Sequence, residues 1–199
     1  MSVLFQKTWT IIVVDVEASG NLRAYKGIVP YHNLLEIGAV EVILSNTQKR
    51  INSEFYAILK PMNDRYDPEA IKKTSGKFLE FYKKRGEDPA VAMKRFYEYL
   101  KSIKARTGRK VLLASDNPEF DVGWIRLYLE LFGFNAYEIL HHNPMSLKDL
   151  VRGIFRDLKM NLYRLPPAFS VKLPHTHNAL DDARRNAHIL LKLSRVLRL

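Results

Sequence analysis

At 199 residues, the chain is long enough to bury one hydrophobic core and is expected to fold as a single domain over residues 1–199. Its 47% hydrophobic and 27% charged residues exclude a largely disordered chain, and a formal charge of +11 favours a polyanionic partner, either nucleic acid or an acidic membrane surface. The absence of cysteine excludes a disulfide framework, a thiolate nucleophile and a cysteine zinc site.

The first residues, MSVLFQKTWTIIVVDVE, hold a short apolar run that Asp15 and Glu17 interrupt, with no small-residue cleavage pattern. No stretch reaches the ~18 apolar residues of a membrane span, so a cytoplasmic protein with no membrane partner is expected. Residues 9–16 (WTIIVVDV) form a nearly continuous β-branched run, as in a strand buried on both faces. Strand-like runs follow at 35–44 (LEIGAVEVIL) and 51–60 (INSEFYAILK), and the polar SNTQKR between them predicts an antiparallel meander. From Pro61 to Lys110 the pattern is helical, with Asp-Pro start signals at DPEAIKKTS and at Asp88-Pro89.

A fourth strand at 110–114 (KVLLA) leads into Asn117-Pro118, which predicts a helix N-cap and a helix to about Phe132. A short strand near 137–141, a helix at SLKDLVRGIFRDL, the Pro-rich loop LPPAFSVKLPHTH and a last helix from Asn178 to the C-terminus complete the order. The sum is an α/β fold, a mixed five-stranded sheet covered by helices on both faces. Basic residues are spread along the chain, at Lys72-Lys73, Lys83-Lys84-Arg85, Arg109-Lys110 and Arg184-Arg185, which suits a folded surface patch better than a disordered arm.

Three acidic motifs carry the chemistry. Asp15 and Glu17 are two apart on a strand, so their side chains point to one face at chelate spacing, unless the strand frays there and leaves both in solvent. NPEFD, residues 117–121, puts Asp121 in the first turn of a helix, where acids are also common for dipole reasons. In HTHNALDDA, residues 175–183, Asn178 caps the last helix, Asp182 lies one turn inside and His177 stands before the cap, with His175 as a nearby competitor.

Taken in this order, D-x-E at Asp15 and Glu17, N-x-x-F-D at Asn117, Phe120 and Asp121, and H-x-A-x-x-D-A at His177, Ala179, Asp182 and Ala183 resemble the DEDDh (DnaQ-like) family of 3′→5′ exonucleases, whose members have a ribonuclease-H-like fold. A sister subclass has Tyr four residues before the last Asp; here Asn178 holds that place and His177 stands five before, which points to the His subclass. Ser19-Gly20, EIGAV at 36–40 and SLKDL at 146–150 agree with the family frame. Asp116 before Asn117, Ala18 in place of a frequent Thr and the long Asn21–Leu34 connection depart from it, and they bear on the substrate pocket more than on the acids.

The resemblance implies a three-strand antiparallel meander joined by two further strands. It implies that Asp15, Glu17, Asp121 and Asp182 hold two divalent cations, Mg²⁺ or Mn²⁺, with His177 as general base. It further implies that Ala18, Ser19, Phe120 and His177 meet the terminal nucleotide, although Phe120 also suits a core position. The expected activity is hydrolysis of phosphodiester bonds at single-stranded RNA or DNA 3′ ends, with a lean towards RNA, releasing nucleoside 5′-monophosphates. A catalytically silent nucleic-acid-binding module and an endonuclease with the same acids are the alternatives, and a homodimer is not inferable.

Overall fold

The computed structural model describes residues 8–74 and 78–196. Ser75 of DPEAIKKTS and the last three residues of the expected C-terminal helix therefore lie outside the described residues.

The β-branched run forms β1 (Trp9–Ala18), in which Ile11 to Val14 are fully buried, as a strand covered on both faces requires. β2 (Leu34–Leu44) and β3 (Lys49–Ile58) follow it as an antiparallel meander, and β4 (Leu112–Ser115) and β5 (Met145–Ser146) add in parallel on the other side of β1. The five-stranded order is β3-β2-β1-β4-β5, the ribonuclease-H-like arrangement expected.

Between β3 and β4 stand α1 (Pro68–Lys73), α2 (Leu79–Arg85) and α3 (Pro89–Thr107). Both Asp-Pro signals act as read: Asp67 accepts from the Glu69 amide at 2.9 Å and Asp88 from the Ala90 amide at 2.8 Å, each with Pro in the first turn. After β4 come α4 (Pro118–Leu131), α5 (Ala136–Ile139), α6 (Leu147–Phe155) and α7 (Ala179–Leu193). No helix among the described residues is long and apolar enough to cross a membrane.

Two local expectations are corrected. The strand read near 137–141 is the short helix α5, started by Asn135, whose side chain accepts from the Glu138 amide; only Leu140 makes a β-bridge, to Val111, and the fifth strand is at Met145–Ser146. Asn117 occupies the N-cap position of α4 but makes no side-chain cap bond, and Pro118 starts the helix without it.

The period of two along β1 sorts the core into two layers. Ile12, Val14, Val16 and Ala18 pack with α3 and α4 through residues such as Phe96, Leu100, Trp124 and Tyr128. Ile11 and Val13 pack on the opposite face with α6 and α7 through Leu147, Val151, Ala187 and Leu190. The α7 layer comes very close to the sheet at Gly38 of β2, the residue paired with Asp15: a Cβ placed there would stand 2.1 Å from the Ala179 carbonyl oxygen. Because that neighbour is backbone, it cannot move aside as a flexible side chain could. Gly38→Ala is accordingly expected to destabilise the fold by about 1–3 kcal/mol and to displace the start of α7. A denaturant midpoint equal to the wild type's would contradict this packing.

Candidate active site

Asp15 and Glu17 are the next odd positions of β1 after Ile11 and Val13, so their carboxylates point to the α7 side of the sheet. There α7 supplies Asp182, which is 2% exposed, and oxygens of Asp15, Glu17 and Asp182 lie within 4.8 Å of one another. Because β4 runs parallel to β1, the helix that follows it starts at the same edge of the sheet. That start brings in Asp121, also buried, whose Oδ1 accepts from the Val16 amide at 3.3 Å. Asp15, Glu17, Asp121, Ala18, Phe120 and His177 line one cleft of about 380 Å³, and Asp182 adjoins it through His175 and the acids of β1. Phe120 both lines this cleft and packs on the α4 core, with its ring 6.5 Å from that of Trp124.

This concentration of carboxylates is electrostatically unfavourable without a cation. Burial, followed by repulsion from Asp121, Glu17, Asp182 and Asp116, pushes Asp15 well above the usual carboxylate range. Burial raises Asp121 to about 7 against the Val16 amide, which lowers it, and burial also raises Asp116. An all-oxygen acid set with imidazoles beside it and no thiolate fits a hard divalent cation.

The start of α7 is held in place by buried polar groups. Asn178 caps it through Oδ1, which accepts from the Leu180 and Asp181 amides at 3.2 Å each. Glu36 of β2, fully buried, accepts from the Ala179 amide at 3.3 Å, and from the hydroxyls of Tyr56 and Tyr82 at 2.9 Å each. An acid at a helix N-terminus is favoured by the unpaired amides there, so Glu36 fixes the end of α7 that carries Asp182. His177, just outside that end, has a left-handed backbone with φ 53, which costs a non-glycine residue about 1 kcal/mol or more. His175 Nδ1 stands 2.6 Å from Asp182 Oδ2, the Thr176 amide donates to Asp182 Oδ1 at 3.0 Å, and the two imidazoles lie 4.2 Å apart. Both histidines therefore stand at the last acid.

The Ser19 side chain turns away from the cleft. It is fully buried; its hydroxyl donates to the Arg65 carbonyl at 2.8 Å and accepts from the Asn33 amide at 2.9 Å. Asn33 in turn donates to the carbonyls of Asn63 and Arg65 and accepts from the Met62 and Asn63 amides, tying together the ends of β1 and β2 and the segment before α1. Nothing local in the sequence marked Asn33. Glu36 did leave a signal that it shares with Glu41, a charge inside a mostly apolar strand run. Tyr163, in the cleft wall between Arg185 (4.7 Å) and His175 (5.3 Å), had none beyond its place in a loop rich in Pro.

Comparison with known proteins agrees with this geometry. A 3′-5′ DNA exonuclease of Escherichia coli, Cap18, is 29% identical over 182 residues, covering 89% of this chain and 88% of its own. A PolC-type DNA polymerase III of Caldanaerobacter subterraneus subsp. tengcongensis is 26% identical over 92% of this chain but only 11% of its own length. Among solved structures, the nuclease domain of 3′hExo, a DEDDh family member bound to rAMP, superposes with a TM-score of 0.61 at 18% identity, over 99% of this chain and 94% of that one. Escherichia coli exonuclease I in complex with a dT13 oligonucleotide gives a TM-score of 0.69 at 16% identity, over 94% and 41%. The profile of the RNase_T exonuclease family matches residues 12–190, a span that runs from inside β1 to inside α7 and takes in every acid of the cleft, and on it the chain belongs to that family as a DEDDh-type exonuclease.

Proposed function

We propose that the protein removes nucleotides one at a time from the 3′ ends of single-stranded DNA, releasing nucleoside 5′-monophosphates. The observation that carries this reading is the convergence of Asp15, Glu17 and Asp182 within 4.8 Å, at a cleft that Asp121 and His177 also line. Asp15, Glu17, Asp121 and Asp182 would hold two divalent cations, Mg²⁺ or Mn²⁺, whose positive charge would offset the phosphodiester anion and make water a better nucleophile. His177 takes the proton of the attacking water as its oxygen bonds to phosphorus; the bond from phosphorus to the 3′ oxygen breaks, and that oxygen is protonated from solvent. Ala18 and Phe120, in the cleft wall, give the terminal nucleotide an apolar surface, while Ser19 holds the wall in shape from behind.

The preference for DNA departs from the lean towards RNA in the sequence reading. It is supported by the two relatives above, a DNA exonuclease and a DNA polymerase that each align with about nine-tenths of this chain. A 5′-labelled single-stranded oligonucleotide with Mg²⁺ or Mn²⁺ should give a descending ladder, faster with deoxyribose than with ribose, and nothing in chelator. A circular strand should survive, because the site takes a terminus. Cleavage of the circle would establish the endonuclease alternative, and binding without cleavage in either metal would establish the silent module.

A further inference from the structure

The Asn21–Asn33 connection builds a surface that the reaction above does not use. Tyr25 and Ile28 exchange backbone hydrogen bonds of 3.1 and 3.0 Å across Lys26 and Gly27, both with positive φ (48 and 76), which is the two-residue hairpin turn that presents its tip outwards. Behind the tip the Tyr31 amide donates to the Arg23 carbonyl at 3.0 Å, and His32 Nδ1 lies 3.0 Å from the Asn21 carbonyl oxygen. The His32 ring also fills the space beside Gly20, where a Cβ would meet it at 2.4 Å. The hairpin is thus pinned to the segment that leaves Asp15 and Glu17.

Its side chains gather rings and cations. The guanidiniums of Arg23 and Arg65 stand 4.7 and 5.3 Å from the centre of the Tyr31 ring, Tyr25 packs edge-on to Tyr31 at 5.2 Å, and Lys26 lies 5.3 Å from the Tyr25 ring. Tyr25 is 47% and Tyr66 51% exposed. Among the described residues, Arg23, Lys26 and Arg65 form no ion pair with a carboxylate, unlike Lys83 with Asp64 or Arg184 with Glu54. Arg23, Tyr31, Arg65 and Tyr66, with Asp64 and Asp67, border a hollow of about 490 Å³ that shares Asn21 and Asp67 with the wall of the acid cleft, and Tyr25 and Lys26 stand beside it on the hairpin.

We infer that this hairpin and the Arg65–Tyr66 segment form a subsite for the unpaired nucleotides of the strand whose 3′ end enters the acid cleft. The inference rests on the nuclease reading of that cleft. Three cations without acidic partners match the phosphates, and exposed rings and guanidinium planes match bases whose faces are free. Bases in a duplex are already stacked on their neighbours, so the subsite favours single strands.

The test is equilibrium binding of a fluorescein-labelled 12-nucleotide single-stranded DNA in Ca²⁺, followed by anisotropy over a range of salt, beside the ladder assay in Mg²⁺. Arg23→Gln with Arg65→Gln should weaken binding about tenfold and flatten the salt dependence by roughly two counterions. Tyr25→Ala should weaken it about fivefold or more with the salt slope unchanged. Arg23→Lys with Arg65→Lys should keep the slope and lose part of the affinity, which separates lost charge from a collapsed hairpin. If the wild type makes a ladder while all three variants bind like it, the subsite is wrong and the nuclease reading stands. If the wild type binds DNA but no ladder forms in either metal, the nuclease reading fails, and the subsite fails with it unless the variants still weaken binding as stated.

Discussion

Asp15→Asn is expected to lower kcat/KM on a single-stranded oligonucleotide by about three orders of magnitude or more, a barrier increase of ~4 kcal/mol. The same change is expected to raise the melting temperature of the metal-free protein. Both effects have one cause. Asp15 is partly buried in the cleft wall and faces Asp121, Glu17, Asp182 and Asp116, so its negative charge is opposed by lost hydration and by like charges together. Asn has nearly the same shape and no charge; it relieves the repulsion and removes a carboxylate from the proposed cation site. Wild-type protein should therefore gain melting temperature as Mn²⁺ is titrated in, because a ligand that binds only the folded state stabilises it by mass action, and the variant should gain much less. A variant that keeps its rate, or loses it only by unfolding, would contradict the assignment of Asp15. Calorimetry and single-turnover rates on one preparation give both halves of the result.

His177→Ala is expected to cost two to four orders of magnitude in turnover, the usual span for a general base, with the Mn²⁺-induced gain in melting temperature largely preserved. The geometry makes His175 the necessary control. Its Nδ1 is 2.6 Å from Asp182, so its removal frees a carboxylate oxygen and should alter metal affinity more than turnover. With the rings 4.2 Å apart, only the split between the two readouts separates the roles. Should His175→Ala take the larger loss in turnover at saturating metal, the two histidines exchange assignments.

The part of the site that was legible in the sequence follows from short-range geometry. Two acids two residues apart on a strand share a face whatever the rest of the fold does, and Asn178 with Asp182 one turn on is a helix start wherever it docks. The β-branched run of β1 likewise announced a doubly covered strand. The rest depends on segments far apart in sequence. Asn33 acquires its role by bonding to Ser19, Asn63 and Arg65, which lie 14 to 32 residues away along the chain. Gly38 matters because a helix start some 140 residues later touches its backbone, and the apolar pattern of EIGAV would read the same with Ala there. The misplaced fifth strand has a similar origin. Residues 137–141 are apolar enough for a strand, but the cap at Asn135 closes a helical turn first, and the sheet accepts only the two residues of β5. The family resemblance places the backbone at Ala18 and Ser19 against the nucleotide but leaves the direction of the Ser19 side chain open; β1 breaks register between Glu17 and Ala18, and that side chain turns into Asn33.

The bond from the Ser19 amide to the Asn33 carbonyl, 2.8 Å long, closes the hairpin connection at its base. What lies between these anchors is a side loop whose ends are already fixed by the sheet and by Asn33. Lengthening such a closed loop adds only about 0.6 kcal/mol of closure entropy per doubling. The acids are positioned on one side of this bond and the hairpin on the other, so the tip at Tyr25–Ile28, beyond Leu22 and His32, which pack on the core and on Gly20, can be trimmed, extended or exchanged without moving Asp15 or Glu17. In this architecture the choice of strand can diverge while the chemistry of cutting it is kept.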